Sequence, residues 1–172
     1  MADNSVEPVS APTFASTYAV VTGGGTAGHV LPALAVAEAL VARGHQPETI
    51  HYIGCERGVE TRLLPETPFD HTFYDVVGFQ RSLSRRNLGF VPKMLRSTRA
   101  AITFFRRSRP EVVVTVGGYA SMPAVFAARR LRIPVVVVSY DRRPGRASTV
   151  AAKRAAACAV ALATGLRMEG VV

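Results

Sequence analysis

The fold is decided by the stretch Tyr18-Ala-Val-Val-Thr-Gly-Gly-Gly-Thr-Ala-Gly-His-Val-Leu-Pro-Ala-Leu-Ala-Val-Ala-Glu-Ala-Leu40. A β-branched run at 18–22 meets a cluster of four glycines, and a helical pattern of Leu and Ala follows. Strand, glycine turn and helix start make the first half of a βαβ unit. Because the free N–H groups at such a helix start bind anions, the stretch predicts a site for a phosphorylated ligand. His29, in the first helical turn, can reach that ligand.

The glycine spacing has a second interpretation. Gly23-x-Gly25-x-x-Gly28 matches the dinucleotide-binding fingerprint, although this match is a weak signal on its own. The fingerprint also needs an acidic residue after the second strand to bind a ribose hydroxyl, and Glu56 occupies that place. A dinucleotide-dependent oxidoreductase and a tight turn that binds nothing therefore both stay open at this point.

Strand and helix patterns alternate along the whole chain. We predict strands at 18–22, 49–54, 72–76, 112–116 and 134–139, and helices at 29–43, 57–64, 90–108, 121–131 and 146–159. The strands at 112–116 and 134–139 are apolar on both faces, as in a parallel sheet covered by helices. The chain is therefore predicted to be α/β, with a Rossmann-like, doubly wound parallel sheet over residues 17–160. We expect a flexible tail at 1–16 and an atypical or truncated tail at 161–172.

A second glycine loop, Thr115-Val-Gly-Gly-Tyr-Ala-Ser-Met-Pro123, follows one of these buried strands. Its glycines lie at the turn, Ser121 is the expected N-cap of the next helix, and Pro123 suits the first helical turn. Ligands of such sheets bind at the carboxyl ends of the strands, so both glycine loops are expected to face one cleft. An ordinary turn without a ligand is the alternative.

Charge is unevenly distributed over the 172 residues, whose net charge is +9. Residues 1–80 carry −6 and residues 81–154 carry +15. This difference indicates an anionic partner of the second half, namely nucleic acid, an anionic membrane or a phosphorylated ligand. We expect no nucleic acid, because the basic stretch lacks a regular array of exposed aromatic residues.

The two cysteines, Cys55 and Cys158, lie far apart without the spacing of metal ligands, so we expect core thiols in a reducing compartment. The sequence predicts neither a metal site nor a cofactor. The first sixteen residues lack the basic start and apolar core of a signal peptide, and the chain has no apolar run of membrane-spanning length. These features predict a cytoplasmic protein.

The predicted helix at 90–108 combines an apolar and a basic stripe. The expected core stripe contains Val91, Leu95, Ile102 and Phe105, and the basic stripe contains Arg96, Arg99 and Arg106. Three apolar side chains, Phe90, Met94 and Phe104, fall partly outside the core stripe. Apolar residues beside a basic stripe favour contact with an anionic membrane, the alternative being a solvated basic face.

Three motifs resemble the N-terminal half of the MurG family of bacterial UDP-N-acetylglucosamine transferases. They are the run Gly24–Ala35, the loop Gly117–Pro123 and the strand Ile133–Val136; residues 54–65, with Glu60, also resemble the family's segment after its second strand. The resemblance implies half of a GT-B glycosyltransferase of family 28, peripheral at the cytoplasmic face of the cell membrane. Such an enzyme transfers N-acetylglucosamine from UDP-N-acetylglucosamine to a lipid-linked diphosphate acceptor, turning lipid I into lipid II for peptidoglycan. The N-terminal domain takes the acceptor, and a C-terminal domain holds most of the sugar nucleotide.

The resemblance also implies roles for single residues. His29 would be the general base on the acceptor hydroxyl, or would orient it. Residues lining the cleft near the phosphates would be Thr26, Ala27 and Gly28, and those holding the acceptor diphosphate would be Gly117, Gly118, Tyr119 and Ser121. The helix at 90–108 would face the membrane.

The chain departs from the family after its fifth predicted strand. The family usually has His-Glu-Gln-Asn where this chain has Val138-Ser-Tyr-Asp141, and Asp141 could bind a ribose or sugar hydroxyl. Three functions follow. The chain is the acceptor half of a transferase, working with a donor domain from its own gene or from a separate chain; or it is a non-catalytic membrane-docking module; or it is an NAD(P)-dependent oxidoreductase.

Overall fold

A six-stranded, entirely parallel sheet forms the centre of the molecule. The computed structural model describes residues 16–78, 89–141 and 143–160; the two predicted tails thus lie almost entirely outside the described residues. The strands are β1 (Ala19–Gly23), β2 (Ile50–Cys55), β3 (Asp70–Tyr74), β4 (Val112–Gly117), β5 (Val135–Ser139) and β6 (Ala157–Val160). Their order, β3-β2-β1-β4-β5-β6, is that of a doubly wound Rossmann-like sheet, and it confirms the predicted fold class.

Helices cover both faces of this sheet. They are α1 (Ala27–Ala42), α2 (Glu60–Leu63), α3 (Phe90–Ser108), α4 (Met122–Leu131) and α5 (Arg146–Ala152). One core cluster joins the sheet to α3, α4 and α5, and a second joins it to α1 and the segment after β2. Because both faces are covered, the middle strands are buried on both sides, as their β-branched runs predict.

The prediction of a helix over 146–159 is wrong in its second half. The helix α5 ends at Ala152, and residues 157–160 form β6, which pairs with β5. The Ala156 N–H donates to the Val135 carbonyl as the chain enters the sheet. Local alanine content favours a helix, but these four residues gain a full ladder of hydrogen bonds from a neighbouring strand that lies about twenty residues earlier in the chain.

The order of the strands fixes the position of the site. Strand order reverses between β1 and β4, and both strands end on glycine, Gly23 opposite Gly117. The two glycine loops therefore leave the carboxyl edge of the sheet side by side, at the topological switch point where ligands of such sheets bind.

Candidate functional site

The two glycine loops contact each other directly. Gly118 has φ 81°, and a Cβ placed on it would lie 2.5 Å from the Gly24 carbonyl oxygen, so only glycine fits here. A Cβ on Gly25 would lie 2.6 Å from the Tyr119 ring. The two loops, predicted to lie at one edge of the sheet, are therefore in van der Waals contact.

Backbone N–H groups next to this junction lack partners among the described residues. The Thr26 side chain does not cap α1, and the N–H groups of Ala27 and Gly28 make no hydrogen bond to the described residues. The same holds for the N–H groups of Gly118 and Tyr119. Four unpaired donors, two of them at the start of a sixteen-residue helix, form an environment that suits a phosphate or diphosphate.

His29 lies in the first turn of α1, as the sequence predicts, and its ring is next to the second glycine loop. Its Nδ1 is 3.0 Å from Thr26 Oγ1, and a Cβ on Gly117 would lie 3.8 Å from its Nε2. When Nδ1–H donates to the Thr26 hydroxyl, Nε2 carries a lone pair and is available to accept a proton. The ring is half-buried, so it reaches the cleft while staying in contact with both loops.

The cleft beside His29 has a volume of about 370 Å³ and mixed walls. Its apolar wall consists of Phe90 and Met94 from α3, Met122 from α4, and Ala147 and Val150 from α5; Arg146 adds a cation. This wall could hold an apolar portion of a ligand while the loop donors hold its anionic portion.

Ser121 is buried inside the second glycine loop. It occupies the N-cap position of α4, but its hydroxyl donates to the Gly118 carbonyl at 2.8 Å instead of capping the helix. The residue is 1% exposed. Ser121 therefore shapes the second glycine loop from inside, and its contact with a substrate stays a prediction.

Asp141 lies half-buried at the end of β5, without a hydrogen bond or ion pair to the described residues. The neighbouring residue Tyr140 contacts the first glycine loop, because its hydroxyl donates a hydrogen bond to the Gly28 carbonyl. Burial, and then the Asp141 carboxylate, raise the pKa of Tyr140. The segment that departs from the family motif thus touches the first glycine loop through a residue that the sequence did not single out.

The faces of α3 differ from the prediction. Met94 is buried in the core and lines the cleft, and Phe90 and Phe104 are half-buried against the core, so none of the three is among the exposed apolar side chains of this helix. The exposed apolar side chains are Val91 and Leu95, at 58% and 53% exposure, which the pattern placed in the core. The predicted basic residues Arg96, Arg99 and Arg106 lie on the helix surface outside the core.

Sequence reasoning also missed an ionic cluster next to the cleft. The Lys93 ammonium lies 2.7 Å from an Asp75 carboxylate oxygen, and the Arg57 guanidinium lies 3.6 Å from the other oxygen. These cations, the Lys93 hydrogen bond first, lower the pKa of Asp75. Both cysteines are buried free thiols, as predicted.

The described residues contain no helix that is both long and apolar enough to cross a membrane. The α3 surface is instead amphipathic, with Val91 and Leu95 exposed in its first turns and arginines following them.

Comparisons with known proteins agree with this geometry. The glycosyltransferase family 28 N-terminal domain matches residues 19–170. Over 147 residues the chain is 40% identical to the UDP-N-acetylglucosamine–N-acetylmuramyl-(pentapeptide) pyrophosphoryl-undecaprenol N-acetylglucosamine transferase of Thermus thermophilus, covering 86% of this chain and 42% of that protein. The Streptomyces avermitilis protein of the same name is 41% identical over 145 residues, which are 83% of this chain and 39% of that one.

A solved structure shows the same likeness. The crystal structure of Acinetobacter baumannii MurG superposes with a TM-score of 0.78 at 28% identity, over 91% of this chain and 45% of that one. The chain spans about two fifths of the length of the curated relatives that it matches. The paired glycine loops, the strand order and these matches together show that the chain belongs to glycosyltransferase family 28 and carries its N-terminal domain.

Proposed function

We propose that this chain is the acceptor-binding half of a hexosyltransferase that moves N-acetylglucosamine from UDP-N-acetylglucosamine to a lipid-linked muramoyl-pentapeptide diphosphate. The observation that carries the proposal is the juxtaposition of His29 with four unpaired N–H donors of two glycine loops. The donors bind the acceptor diphosphate, and the apolar wall of the cleft contacts the lipid beside it. A second domain, on this polypeptide or on another chain, holds most of the sugar nucleotide.

The chemistry assigned to His29 is a single proton transfer. Nε2 accepts the proton of the acceptor hydroxyl while the hydroxyl oxygen bonds to the anomeric carbon of the donor sugar. The bond from that carbon to the UDP oxygen breaks, and UDP leaves with the electron pair. The Thr26 hydroxyl, 3.0 Å from Nδ1, orients the ring, and in the tautomer in which Nδ1–H donates to this hydroxyl Nε2 is unprotonated.

The membrane surface assigned to this function is the outer face of α3. Val91 and Leu95 are one helical turn apart and exposed, and Arg96 and Arg99 follow. Apolar side chains that insert at the headgroup level, with arginines around them, suit an anionic membrane. Docking there keeps the apolar cleft near the lipid that carries the acceptor.

The oxidoreductase alternative loses support from the first glycine loop itself. The Gly25 N–H, which a dinucleotide phosphate would use, already donates to the Glu60 carboxylate at 3.1 and 3.3 Å.

The test is transfer of labelled N-acetylglucosamine from UDP-N-acetylglucosamine to a short-chain lipid I analogue. It is run with the C-terminal domain of the T. thermophilus relative added or fused, and with that domain alone as the control. The proposal predicts product only when both halves are present. No product from a folded fusion that still binds the acceptor would overturn it and leave a non-catalytic docking module.

A further inference from the structure

A carboxylate lies buried directly beneath the first glycine loop. Glu60, the first residue of α2, has no exposed surface. Its Oε1 accepts hydrogen bonds from the Cys55 N–H at 2.9 Å and the Gly25 N–H at 3.1 Å, and its Oε2 lies 3.3 Å from the same Gly25 nitrogen. In the described part of the chain, the ion pairs are those of Asp75, so the Glu60 carboxylate is held by hydrogen bonds, two of them from backbone N–H groups, and not by a cation.

The space around this carboxylate is made by glycines from three separate segments. A Cβ would lie 2.3 Å from Oε1 at Gly24, 2.8 Å from Cγ at Gly54 and 1.8 Å from Oε2 at Gly58. Buried carboxylates carry a large desolvation cost unless they are fully hydrogen-bonded. Glycine backbone surrounds the Glu60 carboxylate, and no cation pairs with it among the described residues, so we assign it a local structural purpose.

That purpose is to orient the glycine loop. The Gly25 N–H donates to Glu60 where the chain turns with φ 89°, and the N–H groups of Ala27 and Gly28 that follow have no partner among the described residues. The same Oε1 holds Cys55, whose sulfur is 3.7 Å from the Tyr119 hydroxyl of the second loop. One carboxylate thus connects the end of β2 with the first glycine loop, and through Cys55 it is linked to the second.

We infer that Glu60 is a positioning residue, an internal anion that fixes the first glycine loop so that His29 and the N–H groups of Ala27 and Gly28 face the second loop. What the oriented loop binds rests on the proposed function, whereas the orientation itself does not. Ligand phosphates are then held by the outward donors of both loops and not by Gly25.

Amide hydrogen exchange of the unmodified chain, followed by NMR, gives the first test. The Gly25 amide exchanges at least about tenfold more slowly than the amides of Ala27 and Gly28, because of these three it alone donates to a buried carboxylate. Equal exchange at these three positions would overturn the inference without any variant.

Chemical rescue gives the second test. Glu60→Ala leaves a space for a small carboxylate, so acetate or formate, but not chloride at equal ionic strength, restores slow exchange at Gly25 and Cys55. In Glu60→Gln the amide group turns one donor toward a backbone N–H, and exchange at Gly25 rises about tenfold or more. The matched control is Glu56→Ala, which removes an exposed carboxylate from the segment between β2 and α2 and leaves exchange unchanged.

The transfer assay separates positioning from stability alone. In the fused enzyme Glu60→Ala lowers kcat at least about tenfold while the variant stays folded, and acetate restores it. A folded Glu60→Ala protein with normal kcat would contradict the inference. So would a folded one in which acetate changes neither the amide exchange at Gly25 and Cys55 nor kcat. If neither variant folds, exchange in the unmodified chain decides the question. Since exchange needs no substrate, failure of the proposed transfer leaves this test intact.

Discussion

At the scale of single residues, the site depends on how a few polar atoms are paired. His29 has one ring nitrogen against the Thr26 hydroxyl and the other toward the junction of the glycine loops. Glu60 has both oxygens on backbone N–H groups. The position of His29 in the first helical turn was predictable, because glycine turns before a helix are local signals. The partners of Glu60 were not, since they come from segments up to 35 residues apart.

Replacement of His29 tests its assigned role. His29→Ala in the fused enzyme lowers kcat about 10²- to 10³-fold, as expected for loss of a general base, while acceptor binding changes little. The comparison variant is His71→Gln, whose ring lies on β3 outside the cleft. A kcat within about twofold of the unmodified enzyme would show that His29 does not move the proton.

A second histidine makes stability depend on pH. Burial lowers the pKa of His51 from 6.5 to about 4, the carboxylate of Asp70 opposing this effect only in part. As pH falls, His51 is therefore protonated near pH 6.5 in the unfolded chain but only near pH 4 in the folded chain. The stability that is present above pH 6.5 is lost as pH falls from about 6.5 to about 4. The loss reaches up to about 3 kcal/mol of the free energy of unfolding.

Urea unfolding between pH 7 and pH 4 measures this loss. His51→Gln, which keeps a group able to hydrogen-bond Thr72 Oγ1, shows a smaller drop than the unmodified chain over the same range. Parallel drops in both proteins would contradict the assignment, because the carboxylates common to both would then explain the whole pH dependence.

At the scale of elements, α1 contains Pro32 within its second turn. Proline has no N–H, so the carbonyl four residues earlier, at Gly28, lacks its helical donor. The Tyr140 hydroxyl supplies that donor from the end of β5. This hydrogen bond links the first turn of α1, which contains His29, to the end of β5, on the other side of the topological switch point.

A double-mutant cycle tests this replacement. Tyr140→Phe lowers the free energy of unfolding by about 1 kcal/mol, because the Gly28 carbonyl loses its donor. In a Pro32→Ala background the same change costs much less, since the alanine introduced there has a backbone N–H that reaches the Gly28 carbonyl. Tyr18→Phe, which removes a tyrosine hydroxyl outside this contact, serves as the control. An equal cost of Tyr140→Phe in both backgrounds would show that the hydroxyl does not compensate for the proline.

The outer face of α3 carries the membrane prediction. Val91→Ser with Leu95→Ser weakens binding to vesicles that contain anionic lipid at least about tenfold, and higher salt weakens what remains because it screens Arg96 and Arg99. Leu31→Ser, a change at a comparably exposed leucine of α1, leaves binding unchanged. Vesicle sedimentation measures both variants, and equal loss in both would mean that α3 is not the docking surface.

At the scale of the whole molecule, the fold follows from patterns that the sequence displays locally. Apolar runs on both faces predicted the parallel strands, and glycine turns placed both loops at one edge. The errors arose where distant partners decide. Residues 157–160 form a strand because they pair with the edge of β5. Met94 is buried and Val91 is exposed because α4 packs against the Met94 side of α3.

The charge distribution also acquires a meaning at this scale. The first half of the chain, net −6, supplies β1 to β3 and Glu60, and the second half supplies the basic surface of α3. Under the proposed function, an anionic acceptor at an anionic membrane meets the arginines of α3 first and the N–H donors of the loops next.

The most direct test of the central claim, that this chain is an acceptor-binding half, is a titration followed by NMR of its backbone amides. The 172-residue chain is titrated separately with a short-chain lipid I analogue and with UDP-N-acetylglucosamine. We predict saturable shifts for the acceptor, concentrated at Ala27, Gly28, Gly118 and Tyr119, and much weaker binding of the sugar nucleotide. Saturable binding of the sugar nucleotide at those amides, with no response to the acceptor, would contradict the account.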